Sequence, residues 1–140
     1  MPCRKARIYS NPKKATAWRN FSTFIRLRDA IKTTGDIYYC KCITCGEIKP
    51  IEKIHAGHAI GGRKNSVLFN EEQVNGQCSD CNCEGNGEKQ MYKRIMIETY
   101  GQEKWDYWQS TKNDIIQYSD FDFEQISKTY LGKIKELKKG

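Results

Sequence analysis

No stretch of this 140-residue chain approaches the roughly 20 consecutive apolar residues that a membrane-spanning helix requires. The opening Met1-Pro2-Cys3-Arg4-Lys5 has no apolar stretch behind its basic residues, so it does not read as a secretory signal. Membrane and exported classes are therefore excluded at this stage, and the expected location is the cytoplasm. Internal repeats and low-complexity segments are also lacking, which removes solenoids and disordered linkers. Histidine is scarce: there are two, and both fall within one short segment. Hydrophobic residues make up 38% and charged residues 29%, enough for one soluble domain with a modest core, extended by helices.

Acidic residues are almost missing from the first quarter of the chain. Residues 1–32 hold nine Lys and Arg against the single acid Asp29, while the remainder carries 15 basic and 16 acidic residues within a total of +7. A basic arm on a near-neutral body suits binding to a phosphate backbone, where released counterions supply affinity without sequence preference. The alternative is a solubilising tail.

Seven cysteines would suit a disulfide framework in an exported protein. Here the number is odd, export is not expected, and six of the seven fall in two tight clusters. Cys42-x2-Cys45 and Cys78-x2-Cys81 form two knuckles of the kind that hold a tetrahedral zinc ion, a closed structural site that contributes folding energy. The 32 residues between the pairs exceed the gap of a simple zinc ribbon, so a further unit is inserted between the knuckles. Cys40 and Cys83 stand close enough to compete as ligands.

Three regions are expected: a basic arm over 1–14, a zinc-stapled domain over 15–118, and a C-terminal helix over 119–140. The stripe Trp18, Phe21, Phe24, Ile25, Leu27, Ile31 predicts a helix over 15–33, stopped at Gly35. Between the knuckles, 52–60 reads as a strand, 61–65 as a loop and 66–69 as a short return. Helices are expected over 87–100, 102–117 and 122–138. The last presents Phe123, Ile126, Tyr130, Ile134 and Leu137 on one face, either a core face or a dimer contact. Helices flanking a small strand unit give the class α+β.

The insert carries His55 and His58 in Lys53-Ile54-His55-Ala56-Gly57-His58, and Asn82 directly follows the second knuckle. A zinc ion would draw Cys81, and with it Asn82, to the base of the histidine hairpin. Two imidazoles and a carboxamide oxygen at one corner can hold a divalent ion and activate water, an imidazole serving as general base. Each residue also has a plainer role, as a surface or core histidine or a helix cap. His55 and His58, three apart, face opposite sides of a regular strand, so joint action requires a bulge, for which Gly57 is suited.

The combination of Cys45-Gly46, His55-Ala-Gly-His58, Gln77-Cys78-x2-Cys81-Asn82 and Gly85-Asn86, with Phe21-Ser-Thr-Phe-Ile-Arg-Leu-Arg-Asp29 upstream and Tyr100-Gly101-Gln-Glu103 downstream, resembles the phage NinG/Rap recombination proteins over residues 15 to 110. The resemblance implies a zinc-stapled ββα-metal core related to HNH enzymes and phage endonuclease VII. It also implies cleavage of branched DNA such as Holliday junctions and D-loops, in the cytoplasm of the phage's host. His58 matches the family's base and Asn82 its metal-binding residue. Gly57 stands where many HNH enzymes place a metal-binding Asp, which leaves His55 as the candidate replacement. Gln73 stands where Asn is common, with Asn75 nearby. The expected reaction is phosphodiester hydrolysis with Mg²⁺ or Mn²⁺, leaving 5′-phosphate and 3′-hydroxyl ends. Arg26, Arg28, Arg63 and Lys64 are the expected DNA contacts. Paired cuts across a symmetric junction favour a homodimer. Rival readings are a zinc-knuckle DNA-binding protein without catalysis and a sequence-specific HNH nuclease.

Overall fold

A computed structural model describes residues 9–139. Most of the expected basic arm therefore lies outside the described residues, and its last three residues are already helical. The first helix, α1 (Pro12–Thr34), starts where the Asn11 side chain accepts from the amides of Lys13 and Lys14 and Pro12 presets the first turn. It stops at Gly35, whose φ of 85° brings its amide onto the Ile31 carbonyl. Ala17, Phe21, Phe24, Ile25, Leu27 and Ala30 are buried along it.

A short ribbon of β1 (Tyr39–Lys41) and β2 (Ile48–Pro50) brackets the first knuckle, an element the sequence did not announce. A single 3₁₀ turn over Ile51–Lys53 leads into β3 (Ile54–His58). Its antiparallel partner is β4 (Val74–Cys78), not the expected return at 66–69. That segment is one helical turn, α2 (Asn65–Leu68). Val67 and Leu68 are consecutive and both buried, which a helical turn accommodates and an alternating strand does not. A turn over Asp80–Glu84 then carries the chain into α3 (Lys89–Tyr100), α4 (Gln102–Thr111) and α5 (Asp120–Lys139). The fold is mixed, helices with two small antiparallel sheets, as the class α+β requires.

Helix α4 ends six residues before expected. The side chains of Asn65 and Ser66 accept no helical continuation there: they donate to the carbonyls of Ile116 and Lys112, holding the following segment extended, with Ile115 87% exposed.

The stripe on α5 is core. Phe123, Tyr130 and Ile134 are buried, the last two in one cluster with Phe21, Phe24 and Ile25 of α1, and Phe21 meets the Tyr130 ring edge-on at 4.9 Å. Fully burying such a side chain is worth about 1.5–3 kcal/mol, so α1 and α5 hold each other strongly. The face expected as a dimer contact is therefore already covered within the chain.

Arg26 and Arg28 also differ from expectation, because both guanidinium groups point inward. Arg26 donates to the carbonyls of Ile54 and Ile51, each at 2.8 Å. Arg28 donates to the carbonyls of Glu71 and Val74 and to the carboxylate of Asp29. These are turn and strand-end carbonyls, and arginine's fork supplies them with N–H groups; the Ile51 carbonyl also takes the Ile54 amide. Neither side chain is placed as a phosphate contact.

Asp29, 6% exposed, takes the Gly76 amide at 2.7 Å and so clips α1 to β4. Asp29→Ala would strand both that amide and the Arg28 charge. The expected loss is about 2–4 kcal/mol, read as a lower urea midpoint with an unchanged denaturant slope.

Candidate functional site

The two knuckles meet beneath the β3–β4 hairpin. The Sγ atoms of Cys42, Cys45, Cys78 and Cys81 all lie within 4.8 Å of one another, with Cys45 and Cys78 3.8 Å apart. Zinc–sulfur bonds of about 2.3 Å place tetrahedral sulfurs about 3.8 Å apart, so the set fits a zinc ion. Three of the four thiols are buried and Cys45 is exposed. Burial raises the Cys42 thiol, but the Cys45 amide and the Thr44 hydroxyl outweigh it and bring the group down to about 6. Cys45 and Cys81 are driven up, first by burial and then by neighbouring sulfurs. Packed thiols thus share little negative charge among themselves, and a divalent cation is the natural counter-charge.

Cys40 and Cys83, the possible competitors, stand outside this set. Cys40 is fully buried, and desolvation pushes it up to about 11. Cys83 has its Sγ 3.8 Å from Nδ1 of His55.

His55 and Asn82 do come together. Asn82 sits in the turn after β4, and its amide nitrogen is 3.0 Å from His55 Nδ1. Both side chains are half-buried. His58 does not join them. Residues 54–58 pair one for one with 78–74, so β3 has no bulge and its side chains alternate. His58 shares a face with Ala56, which packs in the α1–α5 core. The role expected of Gly57, to bulge the strand, is replaced by another. A Cβ there would lie 2.2 Å from Oε1 of Gln77, so glycine makes room for the Gln77 side chain.

Gln77, fully buried, donates to the Gly87 carbonyl at 2.8 Å and to the Thr44 hydroxyl at 3.1 Å, tying the hairpin to the first knuckle and to the loop before α3. The sequence reading used it only as part of the resemblance.

His58 is 6% exposed. Its ring stacks on Trp18 at 5.4 Å, and Nε2 faces the Leu68 carbonyl at 3.3 Å. A carbonyl only accepts, so Nε2 carries the proton and Nδ1 the lone pair. Burial, then the positive charges of Arg63 and Lys89, pushes this imidazole down to about 4. No hydrogen bond joins its ring to Gln73 or Asn75 among the described residues; Asn75 donates instead to the buried Tyr92 hydroxyl, which donates to the Gly57 carbonyl.

Arg63 and Lys64 lie on the loop beyond β3. Lys64 is exposed and reaches Asn113 at 2.7 Å. Arg63 has a positive φ of 53° and lies over the Trp18 ring at 4.5 Å. One arginine, one tryptophan and one histidine thus stack in sequence at the strand end.

A family model described as Bacteriophage Lambda NinG protein matches residues 4–140. The chain belongs to the NinG family. NinG is a phage family associated with recombination. Comparison with curated proteins and with solved structures gave no match for this NinG chain. No described helix of this NinG protein is long and apolar enough to cross a membrane.

Proposed function

We propose that this NinG protein is a metal-dependent DNA endonuclease acting on branched recombination intermediates, built on an HNH-like core. The observation that carries this reading is the meeting of His55 and Asn82 at 3.0 Å, on the corner where the four-cysteine cluster draws the second knuckle against β3. Two atoms bound at right angles to Mg²⁺ at about 2.1 Å stand about 3.0 Å apart, and the Asn82 amide, turned over, offers oxygen as a hard ligand. The residues therefore fit the ion. Mg²⁺ or Mn²⁺ held by His55 and Asn82 would supply charge stabilisation to a phosphodiester.

The protein's own groups do the rest. His58, kept neutral by burial with Nε2–H anchored on Leu68, lies at the end of β3 on the face away from His55 and Asn82, so as the base in this reading its Nδ1 serves a water that bound DNA carries round that strand end. Trp18 fixes the plane of its ring. Arg63 and Lys64 approach the phosphates flanking the cut, and the zinc cluster keeps the two halves of the site in register. The enclosure of His58 also suits a second reading, a zinc-knuckle DNA-binding protein without catalysis.

Labelled four-way junction and linear duplex, incubated with the zinc-loaded protein and Mg²⁺ or Mn²⁺, separate the readings. Cutting of the junction that EDTA stops, with the duplex intact, is the expected result. Binding without cutting under every divalent ion would favour the second reading, and cutting of one linear sequence in preference to any branch would identify a sequence-specific nuclease.

A further inference from the structure

On the His58 face of β3, basic and aromatic side chains alternate in one stack. Lys14 Nζ lies over the Tyr9 ring at 4.7 Å, and Arg63 lies over the same ring at 5.6 Å and over Trp18 at 4.5 Å. Trp18 in turn stacks on His58. Arg63 Nε donates to the Tyr9 hydroxyl at 3.1 Å, which fixes the plane of the guanidinium. Lys89 closes the group by donating to the His58 carbonyl. Rings from α1 and its approach therefore hold two cations in place, each attracted to a π-face.

Two features are unusual for a merely structural stack. Arg63 Nη2 is buried and has no hydrogen-bond partner. A buried unpaired guanidinium N–H is costly unless an acceptor arrives. In addition, the ion pairs of the described residues involve Lys13, Arg28, Lys49, Lys104, Lys133 and Lys139, and none involves Lys14, Arg63 or Lys89. The positive charges are felt by their neighbours. Burial foremost, and then Arg63, lowers the Lys14 ammonium.

We infer that this stack is a seat for one phosphodiester group of a nucleic-acid strand, received by Arg63 Nη2 and flanked by the ammonium groups of Lys14 and Lys89. The required ligand is a compact oxyanion, because the free donor is single, fixed and enclosed by rings, while the flanking lysines supply charge without a shape of their own. A carboxylate side chain from the protein does not fill the role among the described residues. The choice of a nucleic-acid phosphate rests on the nuclease reading; the seat itself rests on the stack. Its occupation would also offset the Arg63 charge beside His58, so a bound phosphate makes the imidazole easier to protonate.

Dimethyl phosphate, which the protein has no reason to cut, is the probe, added to zinc-loaded full-length protein without Mg²⁺. Histidine-ring and indole NMR signals report the result, and with two histidines in the chain, a His55→Gln variant assigns them. Saturable shifts of the Trp18 indole and the His58 ring are expected, with the His58 midpoint rising toward its ordinary value, against none from chloride at equal ionic strength. Arg63→Gln should weaken dimethyl phosphate about tenfold or more, whereas Lys14→Gln, which removes a charge and the bond from Lys14 to Asn65 but keeps Arg63, should weaken it about threefold. With duplex DNA, Arg63→Gln should lower the slope of log affinity against log salt by about one. Zinc content and melting temperature verify that each variant is folded.

Unchanged affinity in folded Arg63→Gln, or the absence of saturable shifts in the wild type, overturns the seat. If Arg63→Gln fails to fold, Lys14→Gln alone decides, with unchanged affinity again counting against it. None of these readouts requires cleavage. A seat that holds in a protein that does not cut belongs to a DNA-binding protein; a cut junction with an indifferent Arg63 leaves the nuclease standing without it.

Discussion

Cys78→Ser is expected to remove the bound metal and most of the folded β3–β4 hairpin in one step. Cys78 is the last residue of β4, buried at 2% exposure, and its Sγ stands 3.8 Å from that of Cys45 across the two knuckles. A structural zinc ion in small domains contributes on the order of 10 kcal/mol, against a total stability of about 5–15 kcal/mol for a typical domain. Loss of one of four ligands therefore takes away a large part of what holds the knuckles to the hairpin. The remaining buried core there consists of Ala30, Cys40, Cys42, Ile54 and Cys81, with Ile51 against it, too little to replace it. Metal analysis should fall from one zinc per chain toward zero, and the melting transition should drop by tens of degrees or vanish. A Cys78→Ser protein that melts within a few degrees of wild type would show that the cluster is not a metal site.

Acid should act in the same direction. A thiol held at about 6 instead of its usual 9, as Cys42 is, stabilises the fold fully above pH 9 and ceases to do so as pH falls through 6. Zinc extends that loss to the other ligands, since each must shed a proton to bind.

His58→Ala carries the second large effect. General-base catalysis is typically worth about 10²–10⁴ in rate, and cutting should fall by that factor while zinc content and junction affinity remain. His55→Ala differs: its defect should be partly overcome by raising Mn²⁺, because it removes an ion contact and leaves the base. Equal cutting by His58→Ala and wild type would mean that another group accepts the proton.

The same histidine predicts a stability profile. Its folded value of about 4 lies below the ordinary 6.5, so the unfolded chain takes up a proton first as pH drops. Stability from this group is complete above pH 6.5 and is lost between 6.5 and 4, by about 3 kcal/mol in all. Replacing His58 by Leu should flatten that part of the curve in urea titrations at pH 7, 6 and 5.

How much of this could be read from residues alone depended on range. The α1 stripe and its glycine stop are local patterns, and the paired Cys-x2-Cys spacing states its chemistry outright. Asn82 reaching His55 followed from the knuckle bringing its next residue along. What failed was direction. Arg26 and Arg28 looked like surface cations because nothing nearby in sequence names the carbonyls at 51, 54, 71 and 74 that they cover. The strand alternation warned that His58 would part from His55. Gly57 was read as the remedy because its real neighbour, Gln77, is set by cross-strand register. The Tyr9–Lys14–Arg63–Trp18 stack left no sequence signal, since it joins the start of α1 to a loop some fifty residues on.

Helix α1 is synthesised early, yet its broadest apolar partner, α5, comes at the other extremity of the described chain: Asn11 and Asp120, joined by a hydrogen bond, are 109 positions apart. A growing polypeptide therefore leaves the ribosome with Phe21, Phe24 and Ile25 covered only in part, by Ala56, Phe69 and Val74, until Tyr130 and Ile134 emerge. The cysteine cluster needs only residue 81 to be complete, so chelation can fasten the middle of the nascent chain first, and the terminal helices shut over it afterwards.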